Sequence, residues 1–323
     1  MNKTLSVLAA ACFLAGCQPS DSETVGEEIF LADPTIIAVD GHYYMAGTQY
    51  SKLPGFTVLT SENLTEWTPA QTDTVPNLTP GPGVFGSKGF WAPQFLVTDS
   101  CTYMFYTANE QIAMAKAPAI NGKYTWDGTA IDDSEKNIDP FLFTDTDGRH
   151  YLYHVRFNNG NWLWVGEFDF NTGHFIEGTL TPIFRNDQEW EHTLAYESAP
   201  IMEGPTVIKL GDIYYLFYSA NHFMSPDYAV GYATATSPRG PWTKNPANPI
   251  INRLIVGEKG SGHGDVFTAT DGTLRYVYHV HNSDSIPNPR RTRIITLAVD
   301  STVTPPVVTV VPSTVSHPHF LSK

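Results

Sequence analysis

The chain has 323 residues, 41% of them hydrophobic and 13% aromatic, with 24 Pro and 25 Gly spread along it, enough for a sizeable core in one or two domains. A formal net charge of −14 repels phosphate backbones and argues against nucleic acid and acidic polymers as partners, so neutral substrates fit better. Abundant aromatics favour strands over helices, and beyond the N-terminus no run of about 18 apolar residues suggests a membrane-spanning helix.

Residues 1–16 carry one basic side chain, Lys3, then an apolar stretch to Leu14 and two small residues, the pattern of a secretory signal peptide. The text Leu14-Ala15-Gly16-Cys17 resembles a bacterial lipobox, which implies cleavage before Cys17 and lipid on that residue; an ordinary signal peptide is the alternative. Residues 17–29 are polar and acidic and read as a tether. The expectation is an exported protein held at the outer membrane or cell surface only through its N-terminal lipid. Loss of Cys12 and lipidation of Cys17 would leave Cys101 alone, so no internal disulfide is expected. Its setting in "SCTYMFYT" suits an inert thiol rather than a nucleophile.

From residue 30 to 323 one arrangement returns five times. Asp33-Pro34, Ala92-Pro93, Asp139-Pro140, Gly204-Pro205 and Gly264-Asp265 each precede a run rich in apolar residues. Each run then meets a turn pair: Asp40-Gly41, Asp99-Ser100, Asp147-Gly148, Gly211-Asp212 or Asp271-Gly272. An aromatic strand follows every time: "HYYMAGT", "TYMFYTAN", "HYLYHVRF", "IYYLFYSAN", "LRYVYHVHN". Such units read as β-hairpins. Further strands are visible in "GFTVLTS", "QIAMAKA", "WLWVGEFDF" and "YAVGYATA", and Ser237–Trp242 reads as a turn before an outer strand. Repeat starts fall 47–65 residues apart, a period suited to four-stranded propeller blades. The fold expected is an all-β five-bladed β-propeller over 30–323, with a β-sandwich as the rival.

In a propeller the first strand of each blade lines the central channel, so residues at its start meet at one mouth. The column before each Pro reads Asp33, Ala92, Asp139, Gly204, Gly264; one residue earlier it reads Ala32, Trp91, Ile138, Glu203, His263. Three carboxylates, a Trp and a His would therefore converge. Asp-Pro is also a common turn dipeptide, and it is the shared register that gives these residues chemical meaning. Glu191 and Glu197 are rival acids outside that column.

With these pieces in place, "ADPTIIAVDGHYY", "WAPQF", "NIDPFLFTDTDG", "EGPTVIKLGDIYYLFYSAN" and "GSGHGDVF" resemble glycoside hydrolase family 43, whose members are inverting five-bladed propellers acting on plant and related polysaccharides. The "NDPNG"-like start of sucrose- and fructan-cleaving relatives is absent. The resemblance implies Asp33 as general base, Glu203 as general acid, and Asp139 as the residue that orients the acid and raises its pKa. It implies Trp91 as a sugar platform and His263 near the axis, where many members place a calcium ion directly or through water. Gln94 stands where the family usually has an acid. Arg291, in the "NPRRTRI" run, is a candidate for a sugar hydroxyl. Inversion needs one protonated and one ionised carboxyl about 6.5–9.5 Å apart. The "DTDGR" text at Asp145 reads as a hairpin turn rather than a calcium loop. The expected activity is release of arabinofuranosyl or xylosyl units from neutral oligosaccharides or polysaccharides. Galactofuranosidase or galactanase action stays open, as does a non-catalytic carbohydrate-binding propeller. No cofactor is required for the chemistry.

Overall fold

A computed structural model describes residues 26–71, 75–192 and 200–322. The signal segment, Cys17 with most of its tether, and the rival acid Glu197 lie outside the described residues.

The strands form five separate sheets. Blade 1 holds β1 (Leu31–Val39), β2 (His42–Gln49), β3 (Leu59–Ser61) and β4 (Glu66–Pro69). Blade 2 holds β5 (Trp91–Val97), β6 (Thr102–Ala108) and β7 (Gln111–Ala117). Blade 3 holds β8 (Asn137–Thr144), β9 (His150–Phe157), β10 (Asn161–Asp169) and two short edge pieces, β11 (His174–Phe175) and β12 (Thr181–Pro182). Blade 4 holds β13 (Met202–Leu210), β14 (Ile213–Ala220), β15 (Ala229–Ala235) and β16 (Thr243–Lys244). A single helical turn, α1 (Arg253–Val256), leads into blade 5, made of β17 (Gly262–Thr268), β18 (Leu274–Val280), β19 (Arg291–Asp300) and β20 (Val307–Ser316). The last strand, β21 (His319–Phe320), returns to blade 1 and pairs parallel with β4.

The innermost strands touch in a closed cycle, β1 to β5, β5 to β8, β8 to β13, β13 to β17 and β17 to β1. That cycle makes the ring a five-bladed propeller. The repeated hairpins are the ones the turn pairs mark. Val39 faces His42 across Asp40-Gly41, both at positive φ (51° and 82°), the two-residue turn whose twist matches paired strands.

Blades pack face to face through aromatic layers. Between blades 4 and 5, Phe217 meets Tyr276 at 5.7 Å between ring centres, and Tyr215, Phe217 and Tyr232 fill the same layer. The Tyr215 hydroxyl at the edge of this layer donates to the Pro306 carbonyl at 2.7 Å. At the seam, buried Arg293 pairs with Glu258 at 2.8 Å and Glu28 at 2.6 Å, tying the segment before β1 to blade 5.

Candidate active site

Every first strand carries a bulge at its mouth end. Register slips occur between Ala32 and Thr35, Trp91 and Gln94, Ile138 and Phe141, Glu203 and Thr206, and Gly262 and Gly264. A bulge bends the strand and re-aims a side chain. The residue at its centre is left-handed in all five blades: Asp33 (φ 48°), Ala92 (47°), Asp139 (56°), Gly204 (59°) and His263 (40°). The sequence alignment placed Gly264 in that column and His263 one position earlier; the backbone moves His263 into the column and Gly262 into the row of Glu203. Blade 5 has no proline to mark its bulge, which is why the register slipped by one.

A bulge orphans one backbone N–H, and buried orphans need partners. Four come from a single position on each second strand, where Thr48, Thr107, Val155, Ser219 and His279 face the residue just before the bulge. The Asp33 N–H donates to His279 Nδ1 at 3.2 Å, Ala92 to Thr48 at 3.0 Å, Asp139 to Thr107 at 2.9 Å and His263 to Ser219 at 2.8 Å. Blade 3 has Val155 there, which cannot accept. The Gly204 N–H turns instead to the Asp139 carboxylate at 3.2 Å. That bond fixes Asp139 against the peptide next to Glu203.

The bulges bring Asp33, Asp139 and Glu203 together with His263, all at most 9% exposed. His263 Nδ1 lies 3.4 Å from Asp33 and 3.9 Å from Asp139. Burial opposes the charge on Asp33, yet the Arg290 guanidinium, His263, His279 and the Thr48 hydroxyl outweigh it and hold the carboxyl well below the usual range. Arg290 supplies the shortest ion pair, 3.0 Å, and Thr48 donates at 2.6 Å. Glu203 goes the other way, pushed up to about 7 by burial first and by the charge of Asp33, against donation from Tyr228 and the Arg290 charge. Asp139 is also raised well above the ordinary carboxyl value, by burial and then by Glu203 and Asp33. The repulsion between Asp139 and Glu203 is mutual, and burial raises both carboxyls.

One placement differs from the sequence reading. Arg291 bonds Glu258 at 2.9 Å and the His281 carbonyl at 3.0 Å, whereas its neighbour Arg290 reaches Asp33. Residues alternate along a strand, so Arg291 and Arg293 share the face bound by Glu258 and Arg290 turns to the other. Glu191 is fully buried and fastened by Tyr218 at 2.6 Å and Lys244 at 2.7 Å, a structural role away from the bulges. Trp91 is half-buried at the mouth end of β5 and packs on the aromatic cluster of blades 3 and 4. Gln94 bonds both the N–H and the carbonyl of Leu142, stitching blade 2 to blade 3. Asp145 accepts from Lys209 at 2.8 Å and from the Tyr214 hydroxyl, as a turn residue would.

Sequence patterns gave no sign of Tyr228, whose hydroxyl donates to Glu203 Oε1 at 2.7 Å and whose ring stacks on His279 at 5.6 Å. Asn161 Nδ2 lies 3.5 Å from the other oxygen, Oε2. A calcium ion at the axis would take one nitrogen from His263. Asp265, a buried carboxylate lining the same axial pocket, already receives the hydroxyls of Thr35 at 2.7 Å and Thr206 at 2.5 Å. Among the described residues no three of His, Cys, Asp and Glu gather as a metal set. Calcium prefers six to eight oxygens, so these side chains alone do not build its shell.

Arg290→Met would leave the Asp33 carboxylate buried without its cation. Removing one partner of a buried pair costs about 3–5 kcal/mol, read as a lower urea midpoint. Because the native Asp33 value is depressed, the stability it confers is present above the unfolded carboxyl value and lost as pH falls through the folded one. In Arg290→Met that loss, and the acid limb of any activity, moves up in pH.

The family model described as glycosyl hydrolases family 43 matches residues 27–300. Among solved structures, an endo-1,4-beta-xylanase from Bacteroides thetaiotaomicron superposes with a TM-score of 0.83 at 34% identity, over 91% of this chain and 98% of that one. A thermostable family-43 glycoside hydrolase gives 0.79 at 30%, over 93% and 99%. Among curated proteins, a beta-D-galactofuranosidase of Aspergillus niger is 25% identical over 77% of this chain and 73% of its own length. An extracellular exo-alpha-(1->5)-L-arabinofuranosidase of Streptomyces avermitilis is 26% identical over 81% of this chain and 58% of its own. A xylan 1,3-beta-xylosidase of a Vibrio species is 25% identical, and the chain spans about half of it (49%).

Proposed function

The chain belongs to glycosyl hydrolase family 43, and from that membership we propose that it is an exported inverting glycosidase releasing arabinofuranosyl or xylosyl units from neutral oligosaccharides or polysaccharides. The observation that carries this reading is the opposed pair of carboxyls, Asp33 held ionised and Glu203 held protonated near neutral pH in one buried pocket. Pairs of titratable groups driven apart by their surroundings define acid and base roles. Ionised Asp33 takes a proton from a water molecule as that water attacks the anomeric carbon. Glu203 gives its proton to the departing glycosidic oxygen. Tyr228 donates to Oε1 and Asn161 lies beside Oε2, and the two side chains hold the carboxyl in place for that transfer. Asp139 holds the backbone next to Glu203 through the Gly204 N–H. No step passes through a metal.

Export rests on the signal-like segment before the propeller and on relatives named extracellular; lipid attachment at Cys17 remains part of this proposal. Sugar choice belongs to the loops around the mouth.

The test is sugar release from a panel of arabinofuranosides, xylosides and galactofuranosides, with the anomer of the first product followed by proton NMR. Release of a pentose with inverted configuration is expected; retained configuration, or no release, overturns the reading. Across pH, kcat/KM should hold level through the weakly acidic range, because Asp33 is already ionised there. It should then fall as pH rises through about 7 and Glu203 loses its proton. A galactofuranoside preference would favour the alternative suggested by the Aspergillus relative.

A further inference from the structure

A cleft lined by described residues lies beside the axis rather than over it. It holds about 1020 Å³ over blade 4, with Trp190, Met224, Pro226 and Leu254 as apolar walls and Asp227 and Asn248 among the polar ones. Small-ligand sites run to about 1,000 Å³, so this cleft has room for more than one sugar. Leu254 is 85% exposed and Met224 44%, an unusual concentration of bare apolar side chains.

One wall of the cleft, formed by Asn221 and Met224 through Asp227, belongs to the segment that continues to Tyr228 at the acid. Glu203 pairs with Ser219 and Met202 with Ala220, so β14 ends level with the acid. The segment Asn221–Tyr228, which links Ala220 to its partner Ala229, therefore stands on the mouth side. Its last residue is the tyrosine that holds Glu203 Oε1, and Asp227 beside it lines the cleft. Its middle adjoins the base. Phe223 lies under the Arg290 guanidinium at 4.6 Å, and Met224 Sδ accepts from Asn288 Nδ2 at 3.6 Å. Arg290 in turn donates to Tyr50 at 2.8 Å and to Asp33.

We infer that this blade-4 cleft binds the leaving-side remainder of a neutral saccharide chain, two or more units beyond the bond that is cut. This rests on Glu203 as the general acid. The departing oxygen must lie against that acid, and the chain attached to it then leaves past Tyr228 and Asp227 into the cleft. Alternating apolar walls and amide or carboxylate groups suit sugar rings, which present C–H faces and hydroxyl edges. The one guanidinium among the described lining residues, Arg253, is already paired with Asp227 at 2.6 Å, leaving no spare cation to welcome an acidic sugar.

The test uses the full chain and a series of di-, tri- and tetrasaccharides of the pentose it cleaves, with Leu254→Asp and Met224→Asp as two independent exposed-site variants. In the wild type kcat/KM should rise from disaccharide to tetrasaccharide, and each variant should lose about tenfold of that gain, the scale of a lost apolar contact in a binding site. A wild type indifferent to the third and fourth sugars, or variants that keep the full gain, would overturn the inference. If the wild type cleaves no glycoside, the hydrolase reading fails separately. Calorimetric titration with the tetrasaccharide then reads the cleft directly: weaker binding by Leu254→Asp supports it, and equal binding overturns it.

Discussion

Glu203→Gln should lower kcat/KM on a natural pentose disaccharide by about 10²–10⁴, the usual worth of a positioned general acid. The loss should be far smaller on aryl glycosides, whose leaving groups depart with little protonation. Glutamine keeps the shape of the side chain and can still accept from the Tyr228 hydroxyl, so stability should change little. The pH profile carries a second signature. The fall in rate near pH 7 belongs to the Glu203 proton and should vanish in the variant. Steady-state kinetics on both substrate types across pH 5–9 check this. Full activity on the disaccharide would remove Glu203 from the acid role.

Asp33→Asn should lower kcat/KM by a similar 10²–10⁴, but by about the same factor on disaccharide and aryl glycoside, since water must be activated whatever group departs. That difference in leaving-group dependence separates a base from an acid more sharply than the size of either loss. An asparagine can still accept from Thr48, and the Arg290 cation would lose its carboxylate at 3.0 Å. A modest drop in denaturant midpoint should therefore accompany the kinetic loss, and circular dichroism confirms that the ring remains intact. A variant slowed only on the disaccharide would assign Asp33 a different part.

Most of the ring was legible from the chain because its local signals agree: a turn pair, an apolar run and an aromatic strand in every blade. Asp-Pro, Ala-Pro and Gly-Pro marked four of the five bulges, and those marks carried Asp33, Ala92, Asp139 and the residue after Glu203 into register. His263 was seen but misplaced by one, since Gly264 occupies the position that elsewhere is proline. Contacts made by residues distant in sequence left no local trace. Tyr228 comes to Glu203 across a hairpin of blade 4, and Arg290 comes to Asp33 from 257 positions away. The choice of Arg291 over Arg290 is the kind of error that strand alternation corrects only once the strand's partners are known. The blade-4 cleft was likewise invisible, because it is enclosed by segments from separate turns of the chain.

The five left-handed bulge residues have a consequence for how such a molecule can change over generations. Four of them are not glycine, and a left-handed conformation costs an ordinary residue about 1–3 kcal/mol, so the surrounding ring must be dictating the backbone there whatever side chain is present. The ring thus maintains five equivalent mounting points aimed at one spot. Asp33, Asp139 and His263 occupy three with chemically active groups, while Ala92 and Gly204 leave two nearly blank. Chemistry can be added, removed or moved from one blade to the next by single substitutions, without redesigning the frame that points them inward. Symmetry supplies the aim, and the departures from symmetry supply the reaction.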